Sequence, residues 1–403
     1  MGSEEAVGWG WVTGLAARCE KVLVVTRTPH REGIEVWLRK NPLPNVEFLY
    51  YKPKRHDLYK RYLGRFEWVP NYHAFQKGII GLIRQAMARE HYDLVHHVTV
   101  VTLRFPVHLG ELGIPFVFGP IAGGDEAPMA AWKGMTWKGK CGEAFRYVSN
   151  RWLRWSPSIR RTLNKASSII VVSPQTAALV PAHLHDRVSE VLAISYDEPL
   201  RPRTITRRTS PTIKLLFAAR CLDWKGLHIG LEAISRAAKA GVDLHLTVIG
   251  DGPVRAHWQR LAVKLGVSDR ISWLEGLARP DFIVTLAAYD LLFFPSLHDS
   301  GALVVLEALA NGLPVLCLDA GGPGKLVDRT CGIKVKIENH DQIARDLADA
   351  LVLLAGNEER RYSMSLRSSE RIARHFMLDS KIDAVMARYP VGFHSNLEAV
   401  AVT

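Results

Sequence analysis

The stretch LLFFPSLHDSGALVVLEALANGLPVLCLDAGGPGKLV, residues 291–327, decides the fold. An apolar run ends at Phe294-Pro295, and a polar loop follows over 296–301. A helical pattern then runs from Ala302 to Gly312, and a second apolar run covers 314–319. Working outward, 213–219, 244–250, 271–275 and 290–295 also read as short strands buried on both faces. Helical patterns fill 226–240, 253–266 and 302–312, with Gly241, Gly266 and Gly312 at their C-terminal ends. Strand and helix in regular alternation predict a doubly wound α/β sheet, with ligands bound at the carboxyl ends of its strands.

The first half repeats the pattern less cleanly. Strands are expected over 21–27, 46–51, 93–97, 115–119, 167–173 and 187–193, and helices over 7–18, 72–90 and much of 141–165. The Pro-, Arg-, Thr- and Ser-rich stretch 199–212 is the natural linker. Two Rossmann-like domains, 1–198 and 199–375, are therefore expected to face each other across a cleft, where small ligands often bind. A helix over about 376–403 is expected to pack back on the first domain. The chain opens on a helical pattern with no strand before it, so the first domain is read as lacking its first strand: either the true start lies upstream or the sheet is defective.

With 403 residues, 48% of them apolar and 23% charged, disorder and collagen-like structure are excluded, and no apolar run nears a membrane span. The acidic start Met1-Gly2-Ser3-Glu4-Glu5 lacks the basic end of a signal peptide. Five cysteines, scattered and never in CxxC spacing, argue against a disulfide framework and a zinc site. These features point to a soluble cytoplasmic chain.

Chemistry concentrates at strand ends. Ser300, Gly301, Ala302 and Leu303 open a helix, and the amides of Ser300, Gly301 and Ala302 are expected to face the cleft unpaired, an anion site suited to a diphosphate. Asp299 precedes that helix and Glu307 lies about one turn into it. These two carboxylates can accept hydrogen bonds from sugar hydroxyls, or, more plainly, Asp299 caps the helix and Glu307 is solvated. Arg220 and Lys225, in AARCLDWKG, follow the strand 213–219 and can reach one diphosphate, or be two surface cations. With no D-x-D to hold a divalent metal, these cations can neutralise a leaving diphosphate. Gly250-Asp251-Gly252-Pro253 reads as a tight turn that leaves room for the ligand.

These elements, with Trp273-Leu274-Glu275-Gly276 and Gly321-Gly322-Pro323, resemble glycosyltransferase family 4, retaining enzymes of the GT-B fold. The opening GSEEAVGWGW, His96-His97 and Gly119-Pro120-Ile121-Ala122-Gly123-Gly124 resemble a bacterial branch of that family. The resemblance implies that Arg220 and Lys225 bind the donor diphosphate. It implies that Asp299 contacts the transferred sugar, standing where the family usually has Glu, and that Glu307 accepts from the ribose. It places Gly250, Gly276, Ser300, Gly301, Ala302 and Leu303 around the donor, with Gly2 and Ser3 as the glycine loop closing over it. Many relatives have His where this chain has Gly119, and Lys325 stands where many have Glu. His96, His97 and Gly119 are candidate acceptor or sugar contacts, each histidine being equally readable as structural.

The implied activity is hexose transfer from a UDP- or GDP-sugar to a cell-envelope or exopolysaccharide acceptor, lipid-linked in some cases, with no further cofactor or metal. The rival reading is a non-catalytic or truncated GT-B protein acting as a partner subunit. A phosphorylase would need a pyridoxal phosphate lysine or phosphate pocket, and a hydrolase a paired acid and nucleophile; neither is evident.

The net charge of +12 from 52 basic and 40 acidic residues is unevenly placed. Between 131 and 165, nine Lys/Arg stand against Glu143 alone, interleaved with Trp132, Trp137, Trp152 and Trp155. A second basic stretch covers 52–65. Cations mixed with aromatics suit an anionic membrane surface, and would place the chain peripherally on the cytoplasmic face of the inner membrane. The alternative is a salt-bridged helical face with core tryptophans. No nucleic-acid module is recognised.

Overall fold

The computed structural model describes residues 3–54, 68–198, 200, 212–389 and 397–403, with side chains from residue 7 onward. The chain divides into two compact units. One comprises Met1–Gly124, Asn150–Ala193 and Leu378–Thr403; the other comprises Asp125–Ser149 and Ile194–Met377. The expected linker 199–212 and the basic stretch 52–65 lie largely outside the described residues.

The first unit is a seven-stranded sheet. Its strands are β1 (Lys21–Arg27), β2 (Val46–Tyr51), β3 (Leu94–His97), β4 (Phe116–Ile121), β5 (Ser168–Val171), β6 (Val188–Glu190) and β13 (Glu398–Val402). The order is β2-β1-β13-β3-β4-β5-β6, with every pairing parallel. Successive residues of β1 enter opposite cores: Val22 and Val24 pack on one face, Leu23 and Val25 on the other. Burial on both faces explains the unbroken apolar runs.

Among the described residues no strand precedes the helix Ser3–Ala16, yet the sheet has no gap at its centre. The last strand, β13, fills the central position between β1 and β3, in register through Leu23↔Val400 and Val400↔Val95. Counted with β13 first, the order becomes 3-2-1-4-5-6-7, that of a doubly wound sheet. The helix expected over about 376–403 is shortened to Leu378–Met386. Ala399 and Ala401 enter one core and Val400 and Val402 the other, so this small β-branched run completes the sheet.

The second unit holds β7 (Ile213–Ala218), β8 (Leu244–Ile249), β9 (Ile271–Leu274), β10 (Leu291–Phe294), β11 (Val315–Leu318) and β12 (Gly332–Val335). They pair in parallel in the order β12-β11-β10-β7-β8-β9. In chain order this is 3-2-1-4-5-6, with its topological switch between β7 and β10, where a ligand crevice is expected.

Val400 is fully buried at the centre of the first sheet. Val400→Asp places an unpaired carboxylate there and is expected to destabilise the chain by more than about 4 kcal/mol. The measurement is thermal unfolding followed by circular dichroism, against Val400→Ile as control.

Candidate functional site

The β7–β10 switch brings two sequence-predicted loops together. The loop after β7 carries Arg220 and ends in the turn Asp223–Lys225 before the helix Leu227–Lys239. The loop after β10 carries Ser296 to Gly301 before the helix Leu303–Ala310. The Leu297 amide donates to the Trp224 carbonyl at 2.8 Å, fastening the loops backbone to backbone.

Across that junction Lys225 Nζ pairs with Asp299 Oδ2, both side chains about 15% exposed. The other oxygen, Oδ1, accepts from the amides of Gly301 at 3.3 Å and Ala302 at 3.1 Å. The amides of Gly301 and Ala302 are therefore not open, as the sequence led us to expect: a short Asp side chain reaches its own backbone two and three residues on. Ala302 adopts a left-handed conformation (φ 58°) at the helix start. Among the described residues no acceptor reaches the amides of Ser300, Leu303 or Val304. One ammonium, one carboxylate and a helix start thus share one small volume.

Arg220 is exposed on the same loop. Gly250 sits at the end of β8 with φ 137°, and a Cβ there would lie 2.1 Å from the Ala219 carbonyl oxygen. The turn it forms supports the Arg220 loop, and the Asp251 carbonyl accepts from the Cys221 amide at 2.8 Å. Gly276 instead lies in an exposed stretch after the edge strand β9. Gly2 is outside the described residues, and Ser3 begins the helix Ser3–Ala16 in the first unit.

Glu307 is buried rather than solvated, and Arg279 Nε donates to it at 2.6 Å. Burial pushes its carboxyl above the usual range despite Arg279. Arg279 also donates to Glu198 at 2.6 Å. Sequence reading missed Arg279, which is 28 residues from Glu307 with no motif around it.

It also missed three residues of the segment Asp125–Ser149. The Thr136 amide and hydroxyl donate to the Asp223 carboxylate at 2.8 and 2.7 Å, two residues before Lys225. His298 Nε2 donates to Glu143 Oε1 at 2.9 Å, one residue before Asp299, while its ring stacks on Trp224. Burial raises the Glu143 carboxyl, but the His298 hydrogen bond and neighbouring charges outweigh it and leave the pKa lowered. Behind the Asp299 loop, the Gly322 amide donates to the Asp299 carbonyl at 2.7 Å. Lys325, four residues after Gly321, is pushed down to about 8 by burial, with Asp125 opposing.

In the first unit, His96 is a core residue. Its Nε2–H donates to the Gly119 carbonyl at 2.6 Å, and the Tyr389 hydroxyl donates to Nδ1 at 2.8 Å. Both nitrogens are engaged, which leaves none for an acceptor. Gly119 serves packing: a Cβ would lie 2.1 Å from the Ile170 carbonyl oxygen. His97, with Tyr72 and Gln76 near its Nε2, lines a cavity of about 880 Å³. That cavity lies wholly within the first unit, at the carboxyl ends of β13 and β3, its own topological switch. Trp9, Trp37, Phe48, Trp68 and Phe75 supply much of its wall, and among the described residues no Asp or Glu side chain lines it. Among the described residues the buried Gln76 Oε1 has no hydrogen-bond partner.

Among the described residues, one group offers clustered metal-type ligands: Glu232, His340 and Asp341. His340 Nε2 already donates to Glu232 at 2.9 Å, and Asp341 pairs with Lys133 at 2.7 Å.

The two parallel-sheet α/β units define the GT-B fold. Residues 203–368 match the family of glycosyl transferases, group 1. The 2-deoxystreptamine glucosyltransferase of Streptomyces kanamyceticus is 28% identical over 177 residues, covering 40% of this chain and 45% of that one. The alpha-D-kanosaminyltransferase of the same organism is 24% identical over 261 residues, covering 61% and 65%. The chain thus spans about half the length of the curated relatives it matches. The Anabaena Alr3699/HepE structure in complex with UDP superposes with a TM-score of 0.57 at 16% identity, covering 91% of this chain and 98% of that one.

Burial holds His96 and His97 neutral, with pKa values pushed down to about 4 and about 3. An unfolded imidazole titrates near about 6.5, so below that pH the unfolded chain binds protons that the folded chain refuses. Their contribution to stability is full above about pH 6.5 and declines as the pH falls toward the folded values. Thermal melting should therefore drop between about pH 7 and about pH 5, and His97→Gln should make that drop shallower. An equally steep drop in the variant would assign the protons elsewhere.

Proposed function

We propose that this chain is a retaining glycosyltransferase. It moves a hexose from a UDP- or GDP-sugar to a cell-envelope or exopolysaccharide acceptor, lipid-linked and presented at the cytoplasmic membrane face. One observation carries the reading: Lys225 and the helix-start amides of Gly301 and Ala302 converge on a single anion, the Asp299 carboxylate, at a topological switch. A second anion fits the same surroundings. The donor diphosphate is placed on Lys225, Arg220 and the open amides of Ser300 and Leu303. Glu307 takes the ribose, Asp299 faces the hexose, and Gly2-Ser3 closes over the phosphates.

In the transfer step the C1–O bond to the β-phosphate breaks as an acceptor oxygen bonds to C1 on the same face. A donor phosphate oxygen takes the acceptor proton, and the cations stabilise the departing diphosphate. No divalent metal is assigned, because the chain lacks D-x-D and carries fixed cations in its place. The acceptor is placed in the first unit's cavity, where indole faces suit a sugar ring and the Gln76 and His97 side chains suit its hydroxyls.

Titration with UDP and with GDP tests the donor assignment. Lys225→Ala should weaken nucleotide binding by about tenfold or more, the scale of a charge-assisted hydrogen bond. If neither nucleotide binds the unmodified chain, the reading fails. Asp299→Ala separates two roles: turnover should fall by about a hundredfold or more, while UDP affinity holds or tightens as a competing carboxylate is removed. In the first unit, Trp37→Ala should raise the acceptor KM with UDP affinity unchanged.

A further inference from the structure

The helix Trp137–Leu153 carries an exposed apolar stripe that no packing among the described residues explains. Trp137, Phe145, Val148 and Trp152 are between 64% and 72% exposed, and Trp155, just past the helix end, is 74% exposed. At about 100° per residue, Trp137, Cys141, Phe145, Val148 and Trp152 fall within an arc of about 80°. The buried residues Glu143, Asn150 and Leu153 occupy the opposite side. Lys138 borders the stripe on one edge, with its ammonium 6.0 Å from the Trp137 ring centre. Exposed Lys140 and Arg151 border the other edge.

The charge around this face has one sign. Lys133 pairs with Asp341 and Arg161 with Glu111, so these two are spent on the chain itself. Exposed Lys138, Lys140 and Arg160 stand on or beside the stripe, while Glu143, the stretch's sole acid, is buried. A second copy of this chain docking here would set cations against cations. An anionic surface with an apolar layer beneath it complements both features, and indole rings settle at such a boundary.

We propose that the Trp137–Leu153 helix lies in the headgroup layer of an anionic bilayer, with Trp137, Phe145, Val148, Trp152 and Trp155 inserted and the flanking Lys and Arg on lipid phosphates. The helix is about 25 Å long, enough to lie along the surface as an in-plane anchor. The proposal deepens the reading of a membrane-presented acceptor and rests on it for its purpose, whereas the binding itself needs no substrate.

Flotation of the full chain with phosphatidylcholine vesicles, with and without phosphatidylglycerol, tests it. The chain should float only with the anionic vesicles and be released by high salt. Phe145→Ser with Trp152→Ser should lower partitioning about tenfold or more. In Lys138→Gln with Lys140→Gln, each lost charge should lower it about fivefold. UDP titration of both variants checks that the second unit is intact. Flotation unchanged in both variants, equal binding to neutral vesicles, or a dimer broken by the same substitutions without vesicle binding would each overturn the proposal. Flotation without UDP binding would keep the anchor and remove the transferase reading.

Discussion

The Asp299 carboxylate is shared between an ammonium and two backbone amides, and the arrangement of the second unit's site depends on that sharing. Lys225 and Asp299 are 74 residues apart, and only the adjacency of β7 and β10 brings their loops into reach. Both side chains are largely withdrawn from water. Their attraction is therefore poorly screened, and each would be costly to leave alone. The pair fixes the direction of Lys225 and the shape of the helix entry together. The Lys225 ammonium also sits 5.1 Å from the Phe294 ring centre, at the last residue of β10.

The segment Asp125–Ser149 supports both loops from outside the sheet. It reaches Asp223 through Thr136 and His298 through Glu143, each next to a charged residue of the site. These contacts are buried and hydrogen-bonded at both ends, so breaking either would strand a polar group. The segment departs from the first unit's chain after Gly124 and rejoins it at Asn150. The chain thus crosses between its compact units more than once, and what reads as an insertion between β4 and β5 belongs to the site-bearing unit.

Much of this was legible in the sequence, for a physical reason. Parallel strands buried on both faces must be continuous apolar runs, and the helices between them end on glycines that adopt positive φ. The loops at the β7 and β10 ends were legible because charged and small residues interrupt those runs. Three features were not. The central strand β13 was read as helix because its four apolar residues, Ala399 to Val402, carry no partner information. Arg279 was invisible because it meets Glu307 through tertiary structure alone. His96 looked like a site residue because a histidine at a strand end is chemically attractive, yet the core satisfies both its nitrogens.

An Asp at position 299, rather than the longer Glu, has a structural consequence of its own. An Asp carboxylate reaches the amides two and three residues on, whereas a side chain one methylene longer projects past them. With Asp, the two amides and Lys225 are neutralised before any ligand arrives, and the remaining donors at Ser300, Leu303 and Val304 stay open. A diphosphate carries more charge than one carboxylate, so on the proposed reading it competes for Lys225 without needing to remake the helix start. The ammonium is held in place by a weaker anion until a stronger one displaces it, which orients the cation without removing it from use.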